Sequence, residues 1–167
     1  LDNKLLSGKD AQFGMNIEGI LEDLKEVAVH TNKAVAKDIG ISQSAAITCV
    51  KPSGTVSQLV DSASGIHARH NPYYIRTVRG DNKDPITQFL IAQGIPNEPD
   101  AYGKHDSTTV FSFPMRSPEG AVTRNDMTAI EQLELWLLYQ KHWCEHKPSV
   151  TISVKEDEWF EVGAWVF

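Results

Sequence analysis

The sequence predicts an α/β fold in which strands alternate with crossover helices and run parallel to one another. Three observations predict it. Short β-forming or wholly apolar runs stand near residues 45–51, 73–79, 108–114 and 149–155. Helical patterns precede the first run and follow each of the four. Pro, Gly and Asn punctuate the joins, as in Asn71-Pro72, Gly80-Asp81-Asn82 and Pro148.

In chain order, residues 1–15 lack periodicity and contain Ser7-Gly8 and Phe13-Gly14, a loop signature. Ile17, Ile20, Leu21, Leu24, Val27, Ala28 and Val35 then recur at three- and four-residue steps, which describes an amphipathic helix from Ile17 to Ile39. Asn16 is its cap and Gly40 its stop. Ala45 to Val50 is short, apolar and bounded by Pro52, so a buried strand is expected. Val56, Leu59 and Val60 form one face of a helix of about two turns. Tyr73 to Arg79 reads as the next strand. Asp84-Pro85 opens a helix with Ile86, Phe89, Leu90 and Gln93 on one face and Gly94 as its stop. Residues 95–107 read as loop, Thr108 to Phe113 as a strand broken by Pro114, and Met127 to Cys144 as a helix capped by Asn125 or Asp126. Its middle, Leu133 to Tyr139, is apolar nearly all round, so neighbours on several sides are expected. Ser149 to Val154 is the fourth strand, and Glu156-Asp157-Glu158-Trp159 starts a last helix with acids in its first turn.

Composition narrows the function classes. The 167 residues are 41% hydrophobic and 23% charged, enough for one core and one domain. A net charge of −6 argues against a general nucleic-acid or anionic-membrane surface, so an anionic ligand must be held by local donors. No apolar run approaches a membrane span, and Leu1-Asp2-Asn3-Lys4 does not open a signal peptide, so a cytoplasmic setting is expected. In that setting Cys49 and Cys144 read as buried thiols. The chain starts without Met and stops at an apolar Gly163-Ala164-Trp165-Val166-Phe167, so a fragment truncated at both ends is expected.

The chemistry-bearing stretch is Lys51-Pro52-Ser53-Gly54-Thr55-Val56-Ser57, a polar turn between the first strand and the short helix. Gly54 lets a ligand approach the backbone, the hydroxyls of Ser53, Thr55 and Ser57 can donate, and the first helical N–H groups lack intrahelical partners. The residues alone leave two readings, a phosphate site or a Ser53 or Thr55 helix cap. A place at the C-terminal end of a strand, where ligands gather in α/β folds, favours phosphate.

Two motifs carry a family resemblance. Thr48-Cys49-Val50-Lys51-Pro52-Ser53-Gly54-Thr55-Val56-Ser57, continued by Ser64-Gly65-Ile66-His67-Ala68-Arg69-His70-Asn71-Pro72-Tyr73-Tyr74-Ile75-Arg76, resembles the adenosylcobalamin-dependent (class II) ribonucleotide reductases. So does the tail, Pro148-Ser149-Val150-Thr151-Ile152-Ser153-Val154 with Glu158-Trp159-Phe160-Glu161-Val162-Gly163-Ala164-Trp165-Val166, and here the monomeric ribonucleoside-triphosphate reductases are most similar. The resemblance implies part of the C-terminal half of a ten-stranded α/β barrel. It implies that Pro52, Ser53, Gly54, Thr55, Val56 and Ser57 hold the phosphates of a ribonucleotide substrate. It further implies adenosylcobalamin bound largely by segments outside this chain, a thiyl radical that abstracts the ribose 3′-hydrogen, a thioredoxin-type reductant, and the remainder of the reductase in cis or as a separate chain.

The departures set the expectation for activity. The family's Asn-Leu-Cys-x-Glu loop, the partner cysteines of its redox pair and a C-terminal Cys-x-x-Cys segment are absent, and Cys49 matches none of those roles. The chain alone is therefore expected to be inactive, with no catalytic residue of its own. The alternative is a stand-alone nucleotide- or phosphate-binding module without catalysis. Ser149 to Val154 also lacks the adjacent tyrosines of the aerobic class I enzymes, which favours the cobalamin class. His142 and His146 stand four apart with Cys144 between them, but Glu145 is misplaced for His-Glu-x-x-His, and histidines near a helix C-terminus are the simpler account, so no metal site is expected. Arg69, Arg76 and Arg79 can reach an anion in principle, yet strand arginines are more often solvated or paired.

Overall fold

The computed structural model describes Asp2 and residues 16–102 and 106–167. The loop expected over residues 1–15 lies outside the described residues except for Asp2, as do residues 103–105 of the later loop. Two compact units divide the chain, Leu1–His70 with Pro118–Phe167, and Asn71–Ser117.

The larger unit begins with α1, Ile17–Ile39. Asn16 caps it by accepting the Glu18 N–H at 2.9 Å, and Gly40 ends it at φ 76°, a left-handed conformation that costs glycine little. Both ends fall where the sequence places them, but the buried stripe does not. Ile17, Leu21 and Ala36 are buried, while Leu24, Val27 and Val35 are 53, 63 and 49% exposed. The line of contact is therefore narrower than the run of apolar residues.

The second helix of this unit, α2, is a single turn, Val56–Leu59, where two turns were expected. Val56, Leu59 and Val60 are exposed, so no core draws the turn into a longer helix. The long helix α4 spans Ala129–His142 and starts later than expected. Thr128 caps it: its hydroxyl accepts the Glu131 N–H at 3.1 Å and the Glu131 carboxylate accepts the Thr128 N–H at 2.7 Å. Asp126, an expected cap, instead accepts the backbone N–H and hydroxyl of Thr123. Between Ala129 and Gln140 only Glu134 is exposed, in keeping with the apolar circumference of this helix. Glu158, in the 3₁₀ turn Glu156–Glu158, accepts the Ala129 N–H at 3.1 Å and the Lys155 N–H at 2.8 Å, so it closes the start of α4 onto the start of α5, Trp159–Val166. Ile17, Leu21, Ile66, Val122, Met127, Leu135 and Tyr139 form the core, with Val50, Trp136 and Val150 against it. Burial pushes the Tyr139 phenol up to about 12.

Two expected strands of this unit are extended but unpaired as ladders. Residues 45–50 and 149–154 carry no strand hydrogen-bond pattern, because neither has a parallel neighbour among the described residues. Side chains hold the second instead: Trp136 Nε1 donates to the Pro148 carbonyl at 3.0 Å, and the Thr151 N–H donates to His67 Nε2 at 3.0 Å.

The smaller unit is a three-stranded sheet with one helix. β1, Tyr73–Asp81, pairs along its whole length with β3, Thr108–Arg116, from Tyr73↔Arg116 to Asp81↔Thr108. The pairing is antiparallel where parallel strands were expected, and a further short strand, β2, Asn97–Pro99, lies in the expected loop, paired with Thr109–Phe111. β3 also runs through Pro114 rather than stopping there. Pairing on the β2 side ends with the Ser112 N–H on the Pro96 carbonyl at 2.9 Å, and among the described residues no strand beyond it calls for a donor from Pro114. Helix α3, Pro85–Ala92, has Asp84 as cap and proline at its first position as expected, but Thr87 is its buried residue and Ile86 and Phe89 are exposed. Gly80 explains the choice. A Cβ there would collide with Thr87 Oγ1, so the helix seats a small polar residue on the strand where the apolar face was expected.

Phe111, 1% exposed, is the largest side chain of this unit removed from solvent. Phe111→Ala is expected to cost about 3–5 kcal/mol of stability. Denaturant unfolding measures it, and a loss under about 1 kcal/mol would remove Phe111 from the core.

Candidate functional site

The turn from Pro52 to Ser57 is built largely from its own hydroxyls. Ser53 Oγ accepts the Ser57 N–H at 2.9 Å, and the Ser57 hydroxyl donates back to the Ser53 carbonyl. Ser53 is thus the helix cap that the sequence left open as one of two readings. A hydroxyl that accepts once still has a proton to donate, so capping does not consume Ser53. Ser57 is 6% exposed and its hydroxyl is turned inward, which separates it from the other five candidates. Pro52, Gly54, Thr55 and Val56 are exposed and Ser53 half-buried. Space above Gly54 is open, since a Cβ there would meet no atom within 4 Å.

Residues from the second part of the first motif, for which no role in the turn was expected, hold it from behind. The Ser53 N–H donates to Ser64 Oγ at 3.1 Å. Gly65 follows at φ 57°, and a Cβ on it would stand 3.2 Å from Val50 Cγ1 and 3.3 Å from the Lys51 carbonyl oxygen. His67 Nδ1 meets the Ser64 carbonyl and Nε2 accepts the Thr151 N–H, which fixes the tautomer with the proton on Nδ1. The imidazole therefore bridges the loop behind the turn to the Ser149–Val154 segment. The turn dipeptide Ser64-Gly65 is a visible sequence signal; the role of His67 depends on a partner eighty-four residues on and has none.

The segment that delivers the turn is gripped by Glu145. Its Oε2 accepts the backbone N–H of Thr48 at 2.8 Å and that of Ile47, while the Glu145 N–H donates to the Thr48 carbonyl at 2.9 Å. Thr48 Oγ1 donates to the Trp143 carbonyl at 2.6 Å. The Thr48 and Ile47 N–H groups hold the Glu145 carboxyl below its usual range.

Other candidates fall elsewhere. Arg69 is 4% exposed and committed: Nε and Nη2 reach the two Asp2 carboxylate oxygens at 2.7 Å each, and Nη2 donates to the Asp61 carbonyl at 2.7 Å. The Arg69 guanidinium and the Ala63 N–H hold Asp2 low against the opposing effect of burial. Arg69 is therefore a structural cation. Arg79 pairs with Asp100 at 3.4 Å in the smaller unit, to which Arg76 also belongs. His142 ends α4 and its Nδ1 lies 2.7 Å from Glu22 Oε1, whereas His146 lies beyond the helix, so the two histidines do not share a helical face. Among the described residues no group of three or more His, Cys, Asp or Glu is arranged to hold a metal ion. The groove lined by Glu22, Lys25, Glu26, Val29, His30 and Lys33 of α1 with Lys141 and His142 of α4 is edged by charges of both signs.

Gly65→Ala is expected to cost about 1–2 kcal/mol from the left-handed backbone alone, with any crowding of Val50 added, as read by thermal or denaturant unfolding. The Glu145 grip makes a pH prediction. A carboxyl lowered by folding contributes stability above glutamate's ordinary 4.5, and that contribution disappears as pH falls from there through the lower folded value. Glu145→Gln should flatten the stability–pH profile in that acid window; an unaltered profile would show that the carboxylate does not hold the segment.

The comparisons with known proteins agree with the two motifs. No family model matches the chain. An adenosylcobalamin-dependent ribonucleoside-triphosphate reductase of Lactobacillus delbrueckii subsp. bulgaricus is 31% identical over 144 residues, 83% of this chain and 19% of that protein. Those of Lactobacillus acidophilus and Euglena gracilis are 29 and 28% identical over 86 and 87% of this chain, and 20 and 22% of their own lengths. The chain thus spans about one fifth of the curated relatives it matches. The crystal structure of a B12-dependent class II ribonucleotide reductase superposes with a TM-score of 0.75 at 26% identity, covering 89% of this chain and 21% of that one. In sequence and in backbone course alike, the chain is similar to one stretch of the adenosylcobalamin-dependent, class II ribonucleotide reductases.

Proposed function

We propose that this chain supplies the substrate-phosphate-binding portion of an adenosylcobalamin-dependent ribonucleotide reductase that converts ribonucleotides, as triphosphates, to deoxyribonucleotides. The observation that carries the reading is the outward face of the turn. Gly54, Thr55 and Val56 are exposed, a Cβ on Gly54 would meet no atom within 4 Å, and Ser53 keeps a proton to donate while its oxygen accepts the Ser57 N–H. Donors of this kind, held by a rear framework of Ser64, Gly65 and His67, recognise an anion without a cation and suit a chain of net charge −6.

In this reading Pro52 fixes the entry of the turn, Ser53 and Thr55 donate hydroxyl hydrogen bonds, Gly54 lets the phosphate come close to the backbone, Val56 offers its N–H, and Ser57 braces the turn from inside. Adenosylcobalamin supplies the radical chemistry and is held by the remainder of the reductase, whose cysteines a thioredoxin-type protein reduces. What this chain contributes is position: it anchors the phosphates so that the ribose lies in register with groups carried elsewhere.

Two measurements test the reading. Residues 1–167 incubated with adenosylcobalamin, a dithiol reductant and a ribonucleoside triphosphate are expected to form no deoxynucleotide, and product would overturn the division of labour. In the assembled reductase, Ser53→Ala with Thr55→Ala should weaken nucleotide binding by about 1–3 kcal/mol. Gly54→Val and Thr55→Ala, which leave the Ser53 cap in place, should each weaken it without lowering stability. Affinity unchanged in all three would show that the turn is a helix cap alone.

A further inference from the structure

Cys49 and Cys144 are ninety-five positions apart in sequence, yet the Glu145 grip brings their segments side by side. Thr48 is bonded to Trp143 on one side of Cys144 and to Glu145 on the other, so Cys49 faces the chain at residues 144–146. Both cysteines are free thiols. Cys49 is half-buried and its Sγ lies 3.4 Å from His146 Nδ1, with the His146 carbonyl at 3.6 Å. Cys144 is 4% exposed and its thiol lies against that of Cys49. His146 itself is exposed. One thiol is thus open to a small reagent beside an imidazole, and the other is hidden directly behind it.

We propose that Cys49 and Cys144 form a peroxide-responsive dithiol, with His146 as the base for Cys49. In the first step the Cys49 proton passes to His146 Nδ1 and the thiolate attacks a hydroperoxide. An S–O bond forms, the O–O bond breaks, and the leaving oxygen takes the proton from the imidazole and departs as water or an alcohol. In the second step Cys144 sulfur attacks Cys49 sulfur, the S–S bond forms, the S–O bond breaks, and the hydroxide leaves as water with the Cys144 proton. The two thiols lose two electrons and the hydroperoxide gains them. Burial pushes the Cys144 thiol up, and the neighbouring Cys49 adds to the effect, so Cys144 stays protonated and the first step falls to Cys49, the thiol beside the imidazole. The product is a covalent staple across the same junction that Glu145 closes by hydrogen bonds.

The proposal concerns neither the phosphate turn nor catalysis, and it is tested on the chain itself. The reduced protein is treated with hydrogen peroxide at neutral pH, quenched by alkylation and mapped by mass spectrometry without reduction. The expected result is an intramolecular Cys49–Cys144 peptide pair that dithiothreitol reverses. Cys144→Ser should leave a sulfenic acid at Cys49 trapped by dimedone, and His146→Gln should slow cross-linking roughly tenfold without lowering its final yield. A Cys144 that stays alkylatable in the wild-type protein while Cys49 oxidises would overturn the pairing, and that readout needs no variant to fold. Equal rates in wild type and His146→Gln would overturn the role of the histidine.

Discussion

The hold of the Glu145 carboxylate on the backbone of Ile47 and Thr48 is the constraint on which the candidate site depends. An extended segment with no ladder partner has unsatisfied amides and little to fix its course. Glu145 answers both needs at one point, and Thr48 reciprocates through its carbonyl and its hydroxyl. Because α4 is itself fixed by its capping box and by the core contacts of Leu135 and Tyr139, the end of that helix becomes a rigid mount. The turn at Pro52 begins a few residues from the mount, so its position is inherited from the helix rather than from a sheet.

Hydrogen-bond capacity is divided within the turn. Hydroxyl groups that accept inward still donate outward, so a serine-rich sequence can satisfy a helix start and address a ligand with the same atoms. Ser53 shows the division: its oxygen takes the Ser57 amide, its own amide goes to Ser64, and neither bond uses its hydroxyl proton. The choice between cap and anion site, which the residues alone could not settle, is therefore not a choice between exclusive alternatives.

Legibility followed the range of the interaction. α1 could be read to the residue at both ends because Asn16 and Gly40 act within a few positions of themselves, and Asp84-Pro85 was equally clear. The start of α4 was misread because several polar residues precede it and only the reciprocal pairing of Thr128 with Glu131 selects one. Ala45–Val50 and Ser149–Val154 have strand composition, but a strand is a property of pairs, and composition does not say whether a neighbour is present. The antiparallel pairing of β1 with β3 was hidden for a related reason: a helix between two strands suggests a crossover, yet α3 sits in an excursion that returns the chain beside itself in the opposite sense. Within the site, the Pro52–Ser57 stretch was conspicuous, whereas Glu145, His67 and the Cys49–Cys144 contact come from distant segments and leave no local trace.

Pro114 has a consequence beyond local pairing. Past Ser112, whose N–H still donates to the Pro96 carbonyl at 2.9 Å, no further pairing on the far edge of β3 is seen among the described residues, and a free edge there would offer backbone donors and acceptors to an extended peptide. Proline withholds one donor from that edge while the other side of the strand remains paired with Ile75. The residue that seemed to end the strand instead guards it, lowering the tendency of this three-stranded sheet to recruit a second copy of itself into an extended β-assembly.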